Sequence, residues 1–137
     1  MEKELINQEE AVDPTILDLL LGKNVVAVNK QLPTAQYEVP RLSAAAGKPV
    51  LFTLRALPYG QVQEMKRLTD ESDIQILLAG CVEPDLKAPA LQEKFKGVTP
   101  AETIKALLLP GEIADLSAAV EQLTGYRRNT IREVKNG

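Results

Sequence analysis

PVLFTLRA, residues 49–56, is the strongest strand signal in the chain and decides its fold class. Every second position is apolar, so that one face of a strand carries Val50, Phe52, Leu54 and Ala56. The preceding QYEVPRL, residues 36–42, alternates more weakly and contains Pro40, which suits an edge strand because proline cannot donate to the ladder. We therefore predict a β-hairpin at about residues 36–56, with SAAAGK and its Gly47 as the turn.

Helical periodicity replaces this alternation after Ala56. Pro58 and Asp73 each begin a predicted helix, and their apolar stripes are Val62, Met65 and Leu68, followed by Ile74, Leu77, Leu78 and Cys81. ALQEKFK predicts a short helix that ends at Gly97. The predicted fold class is α+β, mainly α-helical with a small antiparallel β-hairpin. One domain is expected over residues 13–126, with helices at about residues 58–125.

The clearest helix start is Thr99-Pro100-Ala101-Glu102, which combines a capping box with proline at the first helical position. This helix must end near Leu109, because the residue before a proline avoids the α region. Pro110-Gly111 is thus a corner. The helix beyond it has the apolar stripe Ile113, Leu116, Val120 and Leu123 and ends at Gly125, with Tyr126 folding back.

The two ends of the chain are less regular. Residues 1–12 are polar and predict a flexible segment, and residues 127–137 predict a mobile basic tail. Asp13-Pro14 predicts the start of a short leucine-rich helix that Gly22 closes. The pattern of residues 23–35 leaves a short strand and a loose connector open.

Composition excludes several classes of protein. The chain has 137 residues, 45% of them apolar and 26% charged, with a net charge of −3, which is typical of one globular domain without a basic field for nucleic acid. It contains no run of about 20 apolar residues that could span a membrane. The acidic start does not match a secretory signal, so a cytoplasmic location is expected.

The residues that usually perform catalysis or hold metals are scarce. Histidine is absent, which removes the commonest general base and the commonest metal ligand. Glu83 and Asp85 flank Pro84 and are interpreted as solvated turn residues, and Cys81, the single cysteine, as a small buried hydrophobe. We therefore expect no catalytic residues, no metal and no cofactor.

Two leucine triplets resist a purely internal explanation. They occur in DLLLGK, residues 18–23, and in ALLLPGEI, residues 106–113. Three consecutive residues span about 200° of a helix, so a surface helix cannot easily bury all of them. Either the rest of the fold covers them, or some contact another molecule. Leu19 and Leu109 are the residues that we expect to remain outside the core.

The order of motifs resembles the tail assembly chaperone family of tailed phages and prophages, from about Asp13 to Asn136. The most specific parts are Arg41-Leu42 with Gly47, Gly80-Cys81 with Glu83 to Leu86, Leu108 with Pro110 to Ile113, and Gly125 with Lys135-Asn136. The resemblance implies a non-enzymatic protein of the bacterial host cytoplasm that keeps the tape measure protein soluble during tail assembly and is absent from the mature virion. It also implies the tail tube protein and a frameshifted longer form of the chain as partners.

Spare leucines are suitable walls for an amphipathic client helix. Our hypothesis for the partner-binding residues is Leu19, Leu20, Leu21, Leu107, Leu108, Leu109 and Ile113. Two other functions remain open at this point. One is a structural tail or connector component retained in the particle, and the other is a small DNA-binding regulator. No membrane contact is expected, and nucleic acid is a partner only under the second alternative.

Overall fold

The computed structural model describes residues 13–68, 70–126 and 128–135. These contain seven α-helices and a three-stranded antiparallel sheet, which confirms the predicted mainly helical α+β class. The chain divides into two compact units, residues 1–31 and 32–137. The flexible segment predicted for residues 1–12 lies outside the described residues, and the single domain of residues 13–126 stays a prediction.

The first unit contains the helix α1 (Ile16–Leu20) and a 3-10 turn (Val28–Lys30). Thr15 caps α1 through a capping box, because its hydroxyl accepts from the Asp18 N–H and its own N–H donates to the Asp18 carboxylate. The helix therefore begins after Thr15 and not at Pro14 as predicted. A threonine with an acid three residues later is a stronger start than Asp13-Pro14 here.

The second unit holds the remaining elements, in the order β1 (Thr34–Glu38), α2 (Pro40–Ala46), β2 (Leu51–Arg55), α3 (Tyr59–Lys66), α4 (Ser72–Gly80), β3 (Cys81–Glu83), α5 (Pro89–Phe95), α6 (Pro100–Leu107) and α7 (Pro110–Leu123). The sheet order is β1-β2-β3, and both pairings are antiparallel. Residues 23–35 are thus mostly connector, with β1 starting at Thr34.

The predicted hairpin is half right. β1 and β2 pair antiparallel with Tyr37 opposite Phe52. The prediction of Pro40 in an edge strand and of SAAAGK as a turn is wrong, because α2 fills this connection. Proline at the first helical position has the right φ for a helix, and alanine has the highest helix propensity, so the local preference favours a helix here. Gly47 ends α2 with φ of +80°, the left-handed region that favours glycine.

The sequence analysis missed β3. The spacing predicts Cys81 on the helical stripe of Ile74 and Leu77, but α4 ends at Gly80. Cys81 is extended and pairs with Leu54, on the side of β2 away from β1. The period of the apolar positions matched a helix up to Cys81. The free edge of β2 offers pairing partners to Cys81 and Glu83, and the sequence pattern does not show them.

The later helices agree closely with the predicted boundaries. The Thr99 hydroxyl accepts from the Glu102 N–H at 3.2 Å and caps α6. At the other end of α7, the Tyr126 N–H donates to the Glu121 carbonyl and the Gly125 N–H to the Gln122 carbonyl, which is a Schellman motif. Gly125 has φ of +107°, as such a motif requires.

The core of the second unit lies between β2 and the helices α4, α6 and α7. α4 packs chiefly on α7, and α7 also contacts β1 and β2. The fully buried large side chains are Phe52, Leu54, Leu77, Ile104, Val120 and Thr103. The Thr103 hydroxyl donates to the Thr99 carbonyl, so burial leaves it with a partner. Two of the four apolar residues that opened the sequence analysis, Phe52 and Leu54, are therefore at the centre of the fold.

Candidate functional site

The structure divides the predicted partner-binding residues into three groups. Leu19, Leu20 and Leu21 are each more than half exposed in the first unit. In the second unit, Leu109 is 53% exposed and Leu107 is half-buried. The third group, Leu108 and Ile113, is wrongly predicted to bind a partner, because these residues are only 4% and 5% exposed and belong to the core. The expectation that Leu19 and Leu109 remain outside the core is confirmed.

The first unit presents a segment that is apolar except for Asp18, and we define this apolar segment as Ile16–Leu21. All five large apolar side chains in it are more than half exposed: Ile16, Leu17, Leu19, Leu20 and Leu21. None of the residues of α1 is buried. A broad apolar face on a helix is normally covered, so this segment has the composition of a surface that another molecule covers.

The second apolar feature is the α6–α7 corner, residues 107–112. α6 ends at Leu107, and both Leu108 and Leu109 have extended backbones before α7 begins at Pro110. Because successive side chains of an extended chain point to opposite sides, Leu108 enters the core while Leu109 faces outward. Burying Ile113 on the next turn fixes the start of α7 on the same core.

Arg41 fastens this corner from a distant part of the chain. Its guanidinium donates to both carboxylate oxygens of Glu112, at 3.0 and 2.8 Å, and to the Leu107 carbonyl at 2.8 Å. Glu112 in turn accepts from the Leu109 N–H at 2.8 Å. Two of the sequence motifs that carried the family resemblance, Arg41-Leu42 and Leu108 with Pro110 to Ile113, thus meet in space.

Acid is expected to loosen the corner. The hydrogen bonds from Arg41, helped by the one from the Leu109 N–H, lower the pKa of Glu112 below its ordinary value. A lowered folded-state pKa adds stability above the ordinary glutamate pKa of about 4.3, and this stability is lost as the pH falls through the lowered pKa. We expect unfolding free energy to fall less between neutral pH and pH about 3 in Glu112→Gln than in the parent protein. Equal falls in urea titrations of both proteins would contradict this.

The third feature is an open groove of about 480 Å³ between α3, α4 and the end of α7. Its apolar lining is Leu57, Val62, Met65, Leu68 and Ile76, with Tyr126 at one side. Lys66 lies on the rim, with its ammonium 5.5 Å from the centre of the Tyr126 ring. Such a volume accommodates a few aliphatic side chains, and the flexible Met65 adapts to their shape.

Sequence reasoning found only part of this groove. The predicted stripe Val62, Met65 and Leu68 does form one wall, but the structure buries only Val62 fully and leaves Leu68 exposed. The opposite wall comes from Ile76 and Tyr126, far apart in the chain. Whether other elements cover this stripe depends on the tertiary structure. The local sequence pattern therefore could not predict the groove.

The residues considered for chemistry are only partly as predicted, because Glu83 lies in β3 and not in a turn, and Cys81 is half-buried. Glu83 and Asp85 are exposed, and the Asp85 carboxylate accepts from the Lys87 N–H within its turn. The Cys81 thiol donates to the Pro84 carbonyl, and burial raises its pKa to about 12, so it is protonated at neutral pH. Within residues 13–68, 70–126 and 128–135 no cluster of three potential metal ligands occurs. No helix in these ranges is long and apolar enough to cross a membrane.

Comparison with known proteins gives two matches. A model of the phage XkdN-like tail assembly chaperone protein family matches residues 64–136, which include α4 to α7 and the corner. A crystal structure of the protein YqbN superposes with a TM-score of 0.57 at 23% sequence identity, and the match covers 84% of this chain and 98% of that one. This second likeness concerns the fold alone. No curated protein matches the chain. The family resemblance deduced from sequence motifs is confirmed.

Proposed function

The chain belongs to the phage XkdN-like tail assembly chaperone family, and from this premise we propose that it binds the tape measure protein and keeps it soluble during tail assembly. The role is non-enzymatic and takes place in the host cytoplasm. The tail tube protein and a longer form of the chain are further partners under this proposal. The one observation that carries it is the set of exposed leucines in the apolar segment Ile16–Leu21 and at Leu109.

Exposed leucines suit a client that is itself apolar on one face. Leaving a leucine in water forgoes about 1.5–3 kcal/mol, which contact with an amphipathic client helix recovers. Each such contact is modest, so several together hold the client while the loss of a few releases it. The groove beside Met65 offers the client a further apolar surface of the same kind.

Coexpression with the tape measure protein of the same phage tests the proposal. We expect the parent protein to increase the soluble fraction of the tape measure protein and the double variant Leu19→Asp, Leu109→Asp to lose most of this effect. Both positions are more than half exposed, so the fold of the variant is expected to persist. The readout is the soluble share of the tape measure protein on gels after centrifugation.

A matched control separates lost client contact from added negative charge. Val98→Asp, Ile131→Asp introduces the same two charges at exposed apolar positions outside the three features described above. It is expected to solubilise the tape measure protein as the parent does. Equal solubility with the parent, the leucine variant and the control, all shown to be folded, would reject these leucines as the client surface.

Mass spectrometry of purified virions tests the temporary nature of the association. A chaperone is expected to be absent from the finished particle, whereas a structural tail component is present in stoichiometric amount. Finding the chain in virions at the level of tail proteins would replace the chaperone proposal by a structural one.

A further inference from the structure

The hydrogen bonds of Arg41 all end on the short segment that displays Leu109. One bond holds the Leu107 carbonyl, two residues before Leu109, and the others hold Glu112, three residues after it. Glu112 then holds the Leu109 N–H itself. Arg41 comes from α2, 68 positions earlier in the chain, and its guanidinium thus holds both the backbone before Leu109 and the side chain that accepts from the Leu109 N–H.

This arrangement selects which leucine of the triplet faces solvent. Leu108 has φ of −118° and ψ of 148°, and Leu109 has φ of −71° and ψ of 152°. With two consecutive extended residues, only one of the two side chains can enter the core. Leu108 enters it, and Leu109 remains outside in a fixed position. A leucine held outward in this way has little backbone freedom left to lose when it binds.

Stability alone is a poor explanation for the contacts of Arg41 with Glu112 and Leu107. Arg41 and Glu112 both keep some contact with water, so their ion pair adds only a modest amount to the stability of the fold. The core residues Leu108 and Ile113 already hold the corner from inside. What the hydrogen bonds of Arg41 and Glu112 add is a fixed orientation of the Leu109 side chain.

We propose that the α6–α7 corner is a preorganised client anchor, in which Leu109 inserts between side chains on the apolar face of a client helix and Arg41 is the positioning residue. This inference rests on the proposed function, since it takes the tape measure protein as the source of that helix. A side chain that is already held in its binding position loses less conformational entropy on association, and this favours binding. Glu112 links Arg41 to Leu109, because its carboxylate accepts from both the Arg41 guanidinium and the Leu109 N–H.

A double-mutant cycle tests whether Arg41 acts through Leu109. Binding of the tape measure protein is measured for the parent, Arg41→Gln, Leu109→Ala and the double variant. We expect Leu109→Ala to weaken binding about tenfold and Arg41→Gln about threefold. In the double variant the loss is expected to equal that of Leu109→Ala alone, because Arg41 has no side chain left to position.

A merely structural Arg41 gives a different pattern. Its replacement then weakens binding by the same factor with and without the Leu109 side chain, and this result would overturn the inference. No loss of binding in Arg41→Gln would overturn it as well. If the parent protein itself does not bind the tape measure protein, the proposed function fails first, so the two failures are distinguishable.

Two further measurements complete the test. Hydrogen exchange at the Leu109 amide is expected to be faster in Arg41→Gln, since Glu112 is then less firmly held. Lys105→Gln is the matched control, because it removes a cation from another exposed ion pair, that of Lys105 with Glu71, without touching the corner. This control is expected to change neither the exchange of the Leu109 amide nor the affinity for the tape measure protein. Arg41→Lys keeps the charge without the planar fork and is expected to restore binding only in part.

Discussion

Leu54→Ala is expected to lower the free energy of unfolding by about 2–5 kcal/mol, the usual range for removing a buried leucine side chain. Leu54 lies in the central strand β2, is fully buried and belongs to the core formed with α4, α6 and α7. Its removal loses apolar burial and leaves a cavity that neighbouring side chains fill only in part. Urea denaturation followed by circular dichroism measures the change.

The same strand provides the control. Leu51 lies on the opposite face of β2 and is 43% exposed, whereas Leu54 is 0% exposed. Leu51→Ala is expected to cost less than about 1 kcal/mol, since its side chain keeps much of its contact with water in the folded protein. Similar losses for both variants would mean that the outer face of β2 is covered, and the alternation that we inferred from PVLFTLRA would be wrong.

Gly80→Ala is expected to destabilise the fold by about 1–3 kcal/mol, the usual effect of adding volume to a filled core. A β-carbon at Gly80 would lie 2.6 and 2.7 Å from the two methyl carbons of Val120 and 3.1 Å from the Arg55 carbonyl oxygen. Gly80 thus lies where α4 packs on α7, and it also ends the helix just before β3. Accommodating a methyl group therefore requires α4 and α7 to separate.

Gly60→Ala is the matched control because it adds the same methyl group in α3, where an added β-carbon has no atom within 4 Å apart from its chain neighbours and the backbone of its own helix. Alanine is preferred to glycine within a helix by about 0.5–1 kcal/mol, so this variant is expected to be neutral or more stable. Val120→Ala combined with Gly80→Ala tests the cause. If the contact with Val120 is responsible, the cost of Gly80→Ala is smaller in the Val120→Ala protein.

Burial also decides which leucines can be substituted to test client binding without disturbing the core. The sequence predicts Leu108 and Ile113 among the partner-binding residues. Both are buried, so substitutions at these positions disturb the core. Leu19 and Leu109 are exposed and allow client contact to be changed separately. An effect on tape measure solubility is therefore informative at the second pair and ambiguous at the first.

A chaperone that leaves its client needs binding energy that is divided into small parts. The apolar segment Ile16–Leu21, Leu109 and the groove beside Met65 are three such parts in our proposal. Under this proposal each contributes the burial of a few aliphatic side chains, so a competitor for the client can displace one part at a time. A single deep cavity would bind more tightly and release more slowly.

The sequence by itself determined the features that depend on neighbours in the chain. Alternation in residues 49–56 predicted β2 and its buried face, and Thr99 with Pro100 predicted the start of α6. Pro110 predicted the corner, because proline restricts the residue before it wherever the chain goes. The Gly125 ending of α7 followed in the same way from the left-handed conformation that glycine tolerates. Local sterics and side-chain period act over a few residues, so a sequence displays them directly.

The sequence predicted that Leu19 and Leu109 lie outside the core, but only the tertiary structure decided which other apolar residues are covered and why. Leu108 and Leu109 are identical side chains next to each other, and their opposite burial depends on Arg41 and on the core beneath the corner. β3 exists because β2 has a free edge beside Cys81, and the groove exists because α3 and α4 do not close over Met65. Burial and strand pairing depend on atoms that are distant in the chain. Residues with the same local pattern are therefore buried at one position and exposed at another.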